Sequence, residues 1–549
     1  MMPSMPQDRH WPAAGPGGVL RRETHFDGRR LRCFAERPPH LEALFRATVA
    51  RFAGREALIA GGERLSYAAL DRLVEHAAGN LAKRGIGRGE RVALLLGNCP
   101  EFLVAVLACA RLGAVAMPIG TRQKAPELEF LLNDSGAAAL IFGAEFAGNL
   151  PPAVALPALR LSVAVGAPVP DAEPWAALLA PAAAPAGVAI AEEDAALILY
   201  TSGTTGKPKG AMLSHLNVVH SLIHFARCLG LDERDRALLA VPAAHVTGTV
   251  AILLTMVYCG GATVLLGEFK ARPFLELAAA ERISYTLMVP AMYILCLMDP
   301  EFRRFDLGTW RVGGYGGAPM PEATIAALAE RLPQLRLHNA YGATETTSPT
   351  TIMPPGFTAS HPASVGQAVP CAELRIVDEQ GKDVAPGTPG EIWIRGPMVV
   401  PGYWNRPDAN AASFTDGFWH SGDVGAIDAD GFLYVFDRVK DMINRGGYKI
   451  FSAEVENALA HHPGVVECAV VGRPDPVLGE RVCAFVLPRG EAVSAEELRR
   501  FCAERMADYK VPERIELVRE PLPRNANGKV QKAVLRQVAA AGETPRPAG

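Results

Sequence analysis

Residues 201–210 have the composition of a phosphate-binding loop. The segment reads Thr-Ser-Gly-Thr-Thr-Gly-Lys-Pro-Lys-Gly, which places four hydroxyls, three glycines and two lysines within ten residues. Glycines let backbone N–H groups turn toward an anion, and hydroxyl and ammonium groups add further donors. A Walker A loop is excluded, because Thr201 stands where that motif needs glycine and Pro208 where it needs serine or threonine. The segment therefore predicts a phosphate site of a different kind.

Six further segments follow in chain order. They are Tyr315-Gly316-Gly317-Ala318-Pro319, Asn339-Ala340-Tyr341-Gly342-Ala343-Thr344-Glu345, the run from Glu391 to Gly402, Ser421-Gly422-Asp423, Asp437-Arg438-Val439-Lys440-Asp441, and Leu522-Pro523-Arg524-Asn525-Ala526-Asn527-Gly528-Lys529. With the loop, this series resembles the acyl-adenylate-forming superfamily, which includes acyl-CoA synthetases, aryl-CoA ligases, peptide-synthetase adenylation domains and luciferases. Seven matches in the family's order, over nearly the whole chain, make the resemblance specific.

The resemblance implies an AMP-forming acid–thiol ligase, an acyl-CoA synthetase. Its first step converts a carboxylate and ATP to acyl-AMP and pyrophosphate, and in its second step the thiol of CoA displaces AMP. The expected cofactors are ATP, Mg²⁺ and coenzyme A as co-substrate. The expected partners are these molecules and a small carboxylic acid, and a homodimer is left open.

The first step brings two anions together, so the protein must supply positive charge and hydrogen-bond donors at the α-phosphate. Lys529 is predicted to do so, bridging the substrate carboxylate and the α-phosphate oxygens. Glu345 is predicted to hold Mg²⁺, because hard cations prefer carboxylate and phosphate oxygens. By resemblance, Thr201 is the second metal ligand.

The resemblance assigns the nucleotide to further residues. Asp423 accepts from both ribose hydroxyls and Arg438 is the second ribose contact, although Asp437 departs from the glycine often found before this arginine. The other expected nucleotide contacts are Thr201, Ser202, Gly203, Thr204, Thr205 and Lys209 of the loop, Gly317 and Ala318 beside adenine, and Tyr341, Gly342 and Thr344. Lys207 is expected to face solvent.

Two half-reactions at one centre require a rearrangement, which the family achieves by rotating its small domain. Lys440 stands at the hinge position, where a few residues absorb the change in φ and ψ. After the rotation Lys529 leaves, and the loop containing Gly446, Gly447 and Lys449 faces the site for CoA. Gly446-Gly447 lets the backbone approach pantetheine closely; a plain tight turn is the alternative interpretation.

The segment Val241–Gly248 resembles the lining of the acyl pocket, where His245 is the single ionisable group and is predicted to act beside the acyl and CoA channel. No Asp or Glu lies between residues 237 and 267, which disfavours an amino acid, because its buried ammonium group would lack a partner. The small Ala243, Ala244, Gly314 and Gly316 suggest room for a medium or long apolar chain.

Several alternatives stay open beside the fatty-acid–CoA ligase. An aryl or cinnamate-type CoA ligase fits the same motifs, and so does a stand-alone adenylating enzyme that loads a carrier protein. A catalytically inactive binding or scaffold protein is disfavoured, because Lys529, Glu345 and Asp423 are all retained.

The elements that must position these residues begin with helices at 41–53 and 67–84. Short apolar runs at 91–96 and 114–119 flank a helix at 102–112, and this rhythm of continuously apolar strands is typical of a parallel sheet covered on both faces. Another apolar strand, 197–200, precedes the phosphate loop. Residues 151–187, rich in Ala and Pro, are predicted to be an irregular connector.

The pattern of apolar and polar residues changes toward the C-terminus. Residues 371–395 alternate apolar and polar side chains, which predicts an antiparallel β unit. Beyond residue 437, Ser452 is predicted to cap a helix, Ser494 and Glu497 have the spacing of a capping box, and strands are expected at 465–471, 482–487 and 515–518.

The predicted fold is a large N-terminal α/β domain, residues 1–437, that binds AMP and the acyl group through mixed parallel sheets and a β-barrel-like unit. A smaller, mobile α+β domain, residues 438–549, follows, with its hinge near Lys440.

Composition excludes several classes of protein. The 549 residues are 49% hydrophobic and 21% charged, which excludes a disordered or fibrous chain. A net charge of −3 provides no basic field for nucleic acid. Ten cysteines without a CxxC pair predict free thiols in a reducing compartment, and with no signal peptide the expected location is cytoplasmic. The uncharged stretch 237–267 is interrupted by Pro and Gly, so it predicts a buried helix (250–258) and strand (262–266), not a membrane span.

Overall fold

The computed structural model describes residues 11, 18–26, 28–201, 208–490, 493–524 and 530–541. The chain divides into two units. Unit 1 comprises residues 1–374, 393–420 and 428–433, and unit 2 comprises residues 375–392, 421–427 and 434–549. The domain boundary between residues 437 and 438 stays a prediction.

The helices and strands alternate through most of unit 1. The helices are α1 (Leu41–Phe52), α2 (Tyr67–Lys83), α3 (Pro100–Leu112), α4 (Ala125–Ser135), α5 (Trp175–Leu178), α6 (His215–Leu229), α7 (Thr255–Cys259), α8 (Ala271–Ala280), α9 (Pro290–Leu297), α10 (Glu322–Arg331), α11 (Pro407–Ser413), α12 (Ser452–Ala460), α13 (Ala495–Ala503) and α14 (Lys532–Ala541). The strands are β1 (Leu20–His25), β2 (Arg29–Phe34), β3 (Glu56–Ala60), β4 (Glu63–Ser66), β5 (Arg91–Leu95), β6 (Val115–Pro118), β7 (Ala139–Gly143), β8 (Leu161–Val165), β9 (Glu173–Pro174), β10 (Ala195–Thr201), β11 (Lys209–Ser214), β12 (Arg236–Leu239), β13 (Ala262–Leu265), β14 (Tyr285–Met288), β15 (Val312–Tyr315), β16 (Arg336–Tyr341), β17 (Thr351–Ile352), β18 (Gln367–Ala368), β19 (Glu373–Val377), β20 (Gly390–Arg395), β21 (Phe414–Thr415), β22 (Phe418–Ile427), β23 (Leu433–Arg438), β24 (Ile443–Arg445), β25 (Tyr448–Ile450), β26 (Val465–Asp475), β27 (Gly479–Pro488) and β28 (Arg514–Leu517).

A seven-stranded sheet in unit 1 has the order β11-β10-β6-β5-β7-β8-β9. Strands β5 to β8 and β10 pair in parallel, and only β11 runs antiparallel to its neighbour. The parallel strands are buried, as their continuous apolar composition predicted. The prediction that residues 151–187 are irregular was wrong in part, because β8 lies in this sheet with Leu161 and Val163 buried. Surrounding Ala and Pro hid this short apolar run.

A nine-stranded sheet in unit 1 has the order β18-β17-β16-β15-β14-β12-β13-β3-β4. Its centre, from β16 to β3, is parallel, and antiparallel strands close both edges. The uncharged stretch enters this sheet as predicted: a π-helical segment, Thr247–Leu254, continues into α7, and β13 follows after Gly260 in a left-handed conformation (φ 74°). Among the described residues, no helix is long and apolar enough to cross a bilayer.

A five-stranded sheet has the order β19-β20-β22-β21, with β23 beside β22, and it contains the predicted β unit at 371–395. Another sheet lies wholly in unit 2, where β25-β24-β27-β26 are joined by β28 on β27. Alternate side chains of β26 and β27 point to opposite faces. One face packs with α12 and α13 through Val470, Val482 and Leu459, and the other packs with α14 through Phe485 and Leu535. This confirms the small α+β fold.

The two predicted helix caps in unit 2 have different outcomes. Ser494 caps α13, since its side chain accepts from the backbone N–H of Glu497. The cap at Ser452 was wrong by one position: Phe451 is the N-cap and Ser452 is the first helical residue. The backbone N–H groups at the start of α12 instead donate to the carboxylate of Asp437, in β23.

Candidate functional site

The predicted phosphate loop connects two antiparallel strands of unit 1. Thr201 ends β10, Lys209 begins β11, and the two residues face each other in the register. The hairpin therefore brings both ends of the loop together and places them beyond a buried strand. Ser202, Gly203, Thr204 and Thr205, with the rest of 202–207, lie outside the described residues, so their roles stay predictions.

Glu345 lies beside the end of this loop. Its side chain is buried, and its Oε1 accepts from the Thr201 hydroxyl at 3.3 Å and from the Tyr403 hydroxyl at 3.0 Å. The structure therefore brings the two predicted metal ligands together across 144 residues of chain. A carboxylate and a hydroxyl are hard oxygen donors, so this donor set fits Mg²⁺.

Two neighbouring strands of the nine-stranded sheet position the other predicted contacts of unit 1. Gly317 and Ala318 follow β15, and Tyr341 ends β16, which pairs in parallel with β15. The carboxyl ends of adjacent parallel strands share one edge, which is where such sheets bind ligands. Gly342 and Thr344 follow Tyr341 at that edge. The backbone of the next residue, Glu345, is fixed by a hydrogen bond, because its carbonyl oxygen accepts from the N–H of Val400 at 2.9 Å.

The interpretation of Gly314 and Gly316 as room for an acyl chain was wrong. A Cβ on Gly316 would lie 2.4 Å from the carbonyl oxygen of Ala340, and a Cβ on Gly314 would lie 2.9 Å from Leu287 Cγ. These glycines allow neighbouring strands and side chains to approach. Gly317 differs, because its φ of 77° is a backbone conformation that favours glycine.

His245 lies at the start of the π-helical segment and its side chain is exposed. Its Nδ1 is 3.2 Å from the hydroxyl of Thr247. The neighbouring backbone folds back tightly: a Cβ on Gly248 would lie 2.2 Å from the carbonyl oxygen of Pro242. The role of His245 beside an acyl and CoA channel stays a prediction.

In unit 2, the two predicted ribose contacts lie side by side. Arg438 Nε is 3.3 Å from Asp423 Oδ1, because these residues belong to the paired strands β22 and β23. The turn before Asp423 is held by Gly422, whose φ is 68°, whose carbonyl oxygen accepts from Val439, and whose N–H donates to Glu391 at 3.2 Å. The arrangement presents a carboxylate and a guanidinium together, the groups expected for recognition of a diol.

Asp437 has a role that sequence reasoning missed. Its buried carboxylate accepts from the Ser452 hydroxyl at 2.7 Å, from the Ser452 N–H and from the Ala453 N–H at 3.4 Å. Asp437 therefore caps the N-terminus of α12, where a negative charge is favourable. The aspartate at position 437, where glycine is often found, therefore stabilises the start of α12 in this chain.

Lys532 extends this contact into a network. Its Nζ lies 2.7 Å from the Ser452 hydroxyl oxygen and 2.7 Å from Glu456 Oε1. Burial raises the pKa of Glu456, while the ammonium group of Lys532 acts in the opposite direction. The first turn of α14 is therefore bound to the first turns of α12.

The predicted hinge and CoA loop also lie in unit 2. Lys440 is exposed, and its carbonyl oxygen accepts from Arg536 of α14 at 2.8 Å. Gly446 and Gly447, with φ of 59° and 90°, form the two-residue turn between β24 and β25. A tight turn thus accounts for both glycines. Lys449, which follows this turn, forms an ion pair with Glu379 at 2.8 Å. The hinge motion and CoA contacts stay predictions.

Lys529 lies outside the described residues, as does the whole segment 525–529. The residues flanking it are described: Arg524 and Val530 form an isolated antiparallel bridge, and the Gln531 N–H donates to the Pro523 carbonyl oxygen at 2.8 Å. The catalytic role of Lys529 therefore stays a prediction.

Comparison with known proteins identifies the class. Residues 45–404 match the family AMP-binding enzyme, and residues 454–529 match the AMP-binding enzyme C-terminal domain. The chain is an AMP-forming acid–thiol ligase, as its motifs predicted. It belongs to the AMP-binding enzyme family, and the resemblance to the acyl-adenylate-forming superfamily is confirmed.

Relatives with different acids are similarly close. The chain is 38% identical over 478 residues to a feruloyl-CoA synthase from Amycolatopsis sp, covering 87% of this chain and 94% of the relative. It is 36% identical over 479 residues to the long-chain-fatty-acid–CoA ligase FadD13 from Mycobacterium tuberculosis, covering 86% and 93%. The solved o-succinylbenzoate CoA synthetase from Bacillus subtilis, in complex with its acyl-adenylate intermediate, superposes with a TM-score of 0.80 at 31% identity, covering 90% of this chain and 97% of that structure. This confirms the predicted fold class.

Proposed function

We propose that this enzyme joins an apolar carboxylic acid to CoA, through an acyl-adenylate formed from ATP with Mg²⁺. The observation that carries the proposal is the pairing of Thr201 and Glu345 at the end of a Gly/Thr/Lys-rich loop. These residues give the phosphate-binding segment a buried carboxylate and a hydroxyl suited to a divalent cation. Solved relatives bind an acyl-adenylate and ATP with a magnesium ion, which supports the same chemistry.

The proposed first step depends on charge at the phosphates. Glu345 and Thr201 hold Mg²⁺, which when bound offsets the negative charge of the phosphates. Lys529 donates to the α-phosphate and the attacking carboxylate, so it stabilises the charge that develops between them. Asp423 and Arg438 hold the ribose hydroxyls and so fix the position of the α-phosphorus. These roles come from the family resemblance, and the contacts of Glu345, Asp423 and Arg438 are compatible with them.

In the proposed second step, the thiol of CoA loses its proton to solvent, its sulfur attacks the acyl carbon, and AMP leaves with the electron pair of the broken acyl–oxygen bond. The change of Lys440 backbone angles would withdraw Lys529, and the Gly446-Gly447 turn would lie along pantetheine. A two-glycine turn exposes its backbone without side chains, which supports this placement.

For the acid, we propose a medium- or long-chain fatty acid. The uncharged segment 237–267 supports an apolar tail, since no carboxylate in it could pair with a substrate ammonium group. An aryl acid is the second candidate. It is favoured by the tight packing at Gly314 and Gly316, which removes one argument for a long cavity, and by similarity to a feruloyl-CoA synthase and an anthranilate CoA ligase.

The test is a screen of pyrophosphate release without CoA and of AMP release with CoA, across C2–C18 aliphatic acids and a set of benzoic and cinnamic acids. For a fatty-acyl enzyme, each buried CH₂ should raise kcat/KM about fourfold, the equivalent of about 0.8 kcal/mol, until the pocket is full. A maximum at cinnamic or benzoic acids would replace the fatty-acyl proposal by the aryl one. Absence of pyrophosphate release with every acid would contradict the adenylation chemistry itself.

The acceptor is tested separately. Acyl-AMP should form without CoA and should be consumed when CoA is added, because the thiol is needed only in the second step. If acyl-AMP persists with CoA but is consumed by a phosphopantetheinylated carrier protein, the carrier-loading alternative is correct. Glu345→Gln, which keeps the side-chain shape and removes its charge, should abolish pyrophosphate release and serves as the inactive control.

A further inference from the structure

Tyr403 contacts the same carboxylate oxygen as Thr201. The Tyr403 ring is 5% exposed, and its hydroxyl donates to Glu345 Oε1 at 3.0 Å, while the Thr201 hydroxyl lies 3.3 Å from that oxygen. The carboxylate of Glu345 is therefore held at one oxygen by two hydroxyl groups from different parts of unit 1. None of the sequence motifs assigned a role to Tyr403.

The Tyr403 hydroxyl donates its single proton to Glu345. An ionised carboxylate can only accept, so the tyrosine is the donor in this contact. A hydrogen bond to a charged acceptor is stronger than one between neutral groups, so this contact restrains the carboxylate.

Tyr403 is also fixed to the strand that leaves the phosphate loop. It forms a β-bridge with Ala211 of β11, and the next residue, Trp404, donates its N–H to the Gly210 carbonyl oxygen at 2.7 Å. Lys209 Nζ lies 5.1 Å from the centre of the Tyr403 ring. Tyr403 thus contacts Glu345 through its side chain, and through its backbone it contacts the segment that begins at Lys209.

We propose that Tyr403 is a positioning residue for the divalent cation: its hydroxyl fixes the carboxylate of Glu345 so that Glu345 and the Thr201 hydroxyl meet Mg²⁺ together. This inference rests on the proposed function. A hydroxyl that donates its one proton still has lone pairs, so Thr201 can bind Glu345 and a cation at once. Without the Tyr403 hydroxyl, the carboxylate gains rotational freedom that cation binding must then remove.

The test measures how much Mg²⁺ strengthens ATP binding. ATP is titrated calorimetrically into the wild-type enzyme and into Tyr403→Phe, once with Mg²⁺ and once with EDTA. Tyr403→Phe keeps the ring and its packing and removes only the hydroxyl. The ratio of the two affinities should fall about tenfold in the variant, the size expected for a hydrogen bond to a charged group, while ATP binding in EDTA should change little.

Two further variants make the result specific. Tyr403→Met also removes the hydroxyl and keeps an apolar side chain, and it should reduce the Mg²⁺ effect by a similar factor; it provides a second test if Tyr403→Phe does not fold. Tyr67→Phe is the matched control. It also removes a buried tyrosine hydroxyl of unit 1, which donates to the Gly261 carbonyl oxygen at 2.6 Å, and it should leave the Mg²⁺ effect unchanged.

Each outcome decides the inference. An unchanged Mg²⁺ effect in folded Tyr403→Phe, or in Tyr403→Met where Tyr403→Phe does not fold, overturns the positioning role and leaves the proposed function intact. An equal loss of ATP affinity with Mg²⁺ and with EDTA also overturns it, because a general structural defect would produce that result. A wild-type enzyme that binds no ATP under either condition overturns the proposed function and this inference with it.

Discussion

Three histidines of α6 should make unit 1 sensitive to acid. His215, His220 and His224 are fully buried. Burial lowers the pKa of His215 to about 4 and that of His220 to about 3, and it lowers the pKa of His224 well below 6.5. His220 uses both ring nitrogens in its neutral form, since Nε2 accepts from the Phe34 N–H at 3.2 Å and Nδ1 lies 2.9 Å from the Leu216 carbonyl oxygen.

The sign of the effect follows from these pKa values. Below pH 6.5 the unfolded chain takes up a proton at each histidine, whereas the folded chain does not, so unfolding becomes more favourable. The stability is fully present above pH 6.5 and is lost as the pH falls toward the lower, folded-state pKa values. Between pH 7.5 and pH 5, each histidine should lower the free energy of unfolding by about 2 kcal/mol, or about 6 kcal/mol for the three.

The assay is urea unfolding followed by tryptophan fluorescence, at several pH values between 7.5 and 5. All six tryptophans belong to unit 1, so the signal reports this unit alone. His224→Leu removes a titrating ring whose nitrogens have no hydrogen-bond partner among the described residues, and it should reduce the pH-dependent loss by about a third, or about 2 kcal/mol. The control His361→Gln replaces a half-buried histidine ring of the same unit, and it accounts for the loss of a histidine side chain as such. Equal pH slopes for wild type and His224→Leu would refute the reasoning.

Three other predictions test particular residues. Lys529→Ala should slow acyl-AMP formation by about 10²–10³-fold and largely spare thioester formation from supplied acyl-AMP; equal losses in both half-reactions would contradict its assignment to the first step. Asp437→Ala should destabilise unit 2 by about 2–3 kcal/mol in calorimetric unfolding, because the N-terminus of α12 loses its acceptor, and an unchanged transition would show that water replaces the carboxylate. Gly316→Ala should lower the melting temperature, because its Cβ would lie 2.4 Å from a backbone oxygen, and a folded variant with merely altered acyl-chain preference would restore the original interpretation of this glycine.

The elements and motifs that could be predicted from the sequence are those marked by a local pattern of residue types. The apolar runs at β5 and β6 predicted a parallel sheet, and the apolar run at 197–200 predicted the strand that precedes the Gly/Thr/Lys-rich segment. The family resemblance named Thr201 and Glu345 as metal ligands; their side chains lie 3.3 Å apart, and the binding of a metal stays a prediction.

What the sequence did not predict depends on contacts between distant residues or on backbone spacing. Tyr403 meets Glu345 across 58 residues, and no local pattern marks a tyrosine for such a contact. Asp437 stood out only as a departure from the glycine often found there, because its partners at the start of α12 lie beyond two short strands along the chain. Small residues are ambiguous for a related reason: Gly316 could have indicated an open pocket or a close approach of strands, and only the distance to Ala340 decides.

The contacts of Asp437 constrain how this enzyme can be recombined with its relatives. A chimera joined between Asp437 and Arg438, at the predicted domain boundary, would take residue 437 from one parent and its partners Ser452 and Lys532 from the other. A parent with glycine at this position would leave α12 without an acceptor and Lys532 beside an altered partner. A junction placed before β23 would take all four side chains of this network from the same parent, namely Asp437, Ser452, Glu456 and Lys532. These positions should therefore be exchanged together in engineered hybrids.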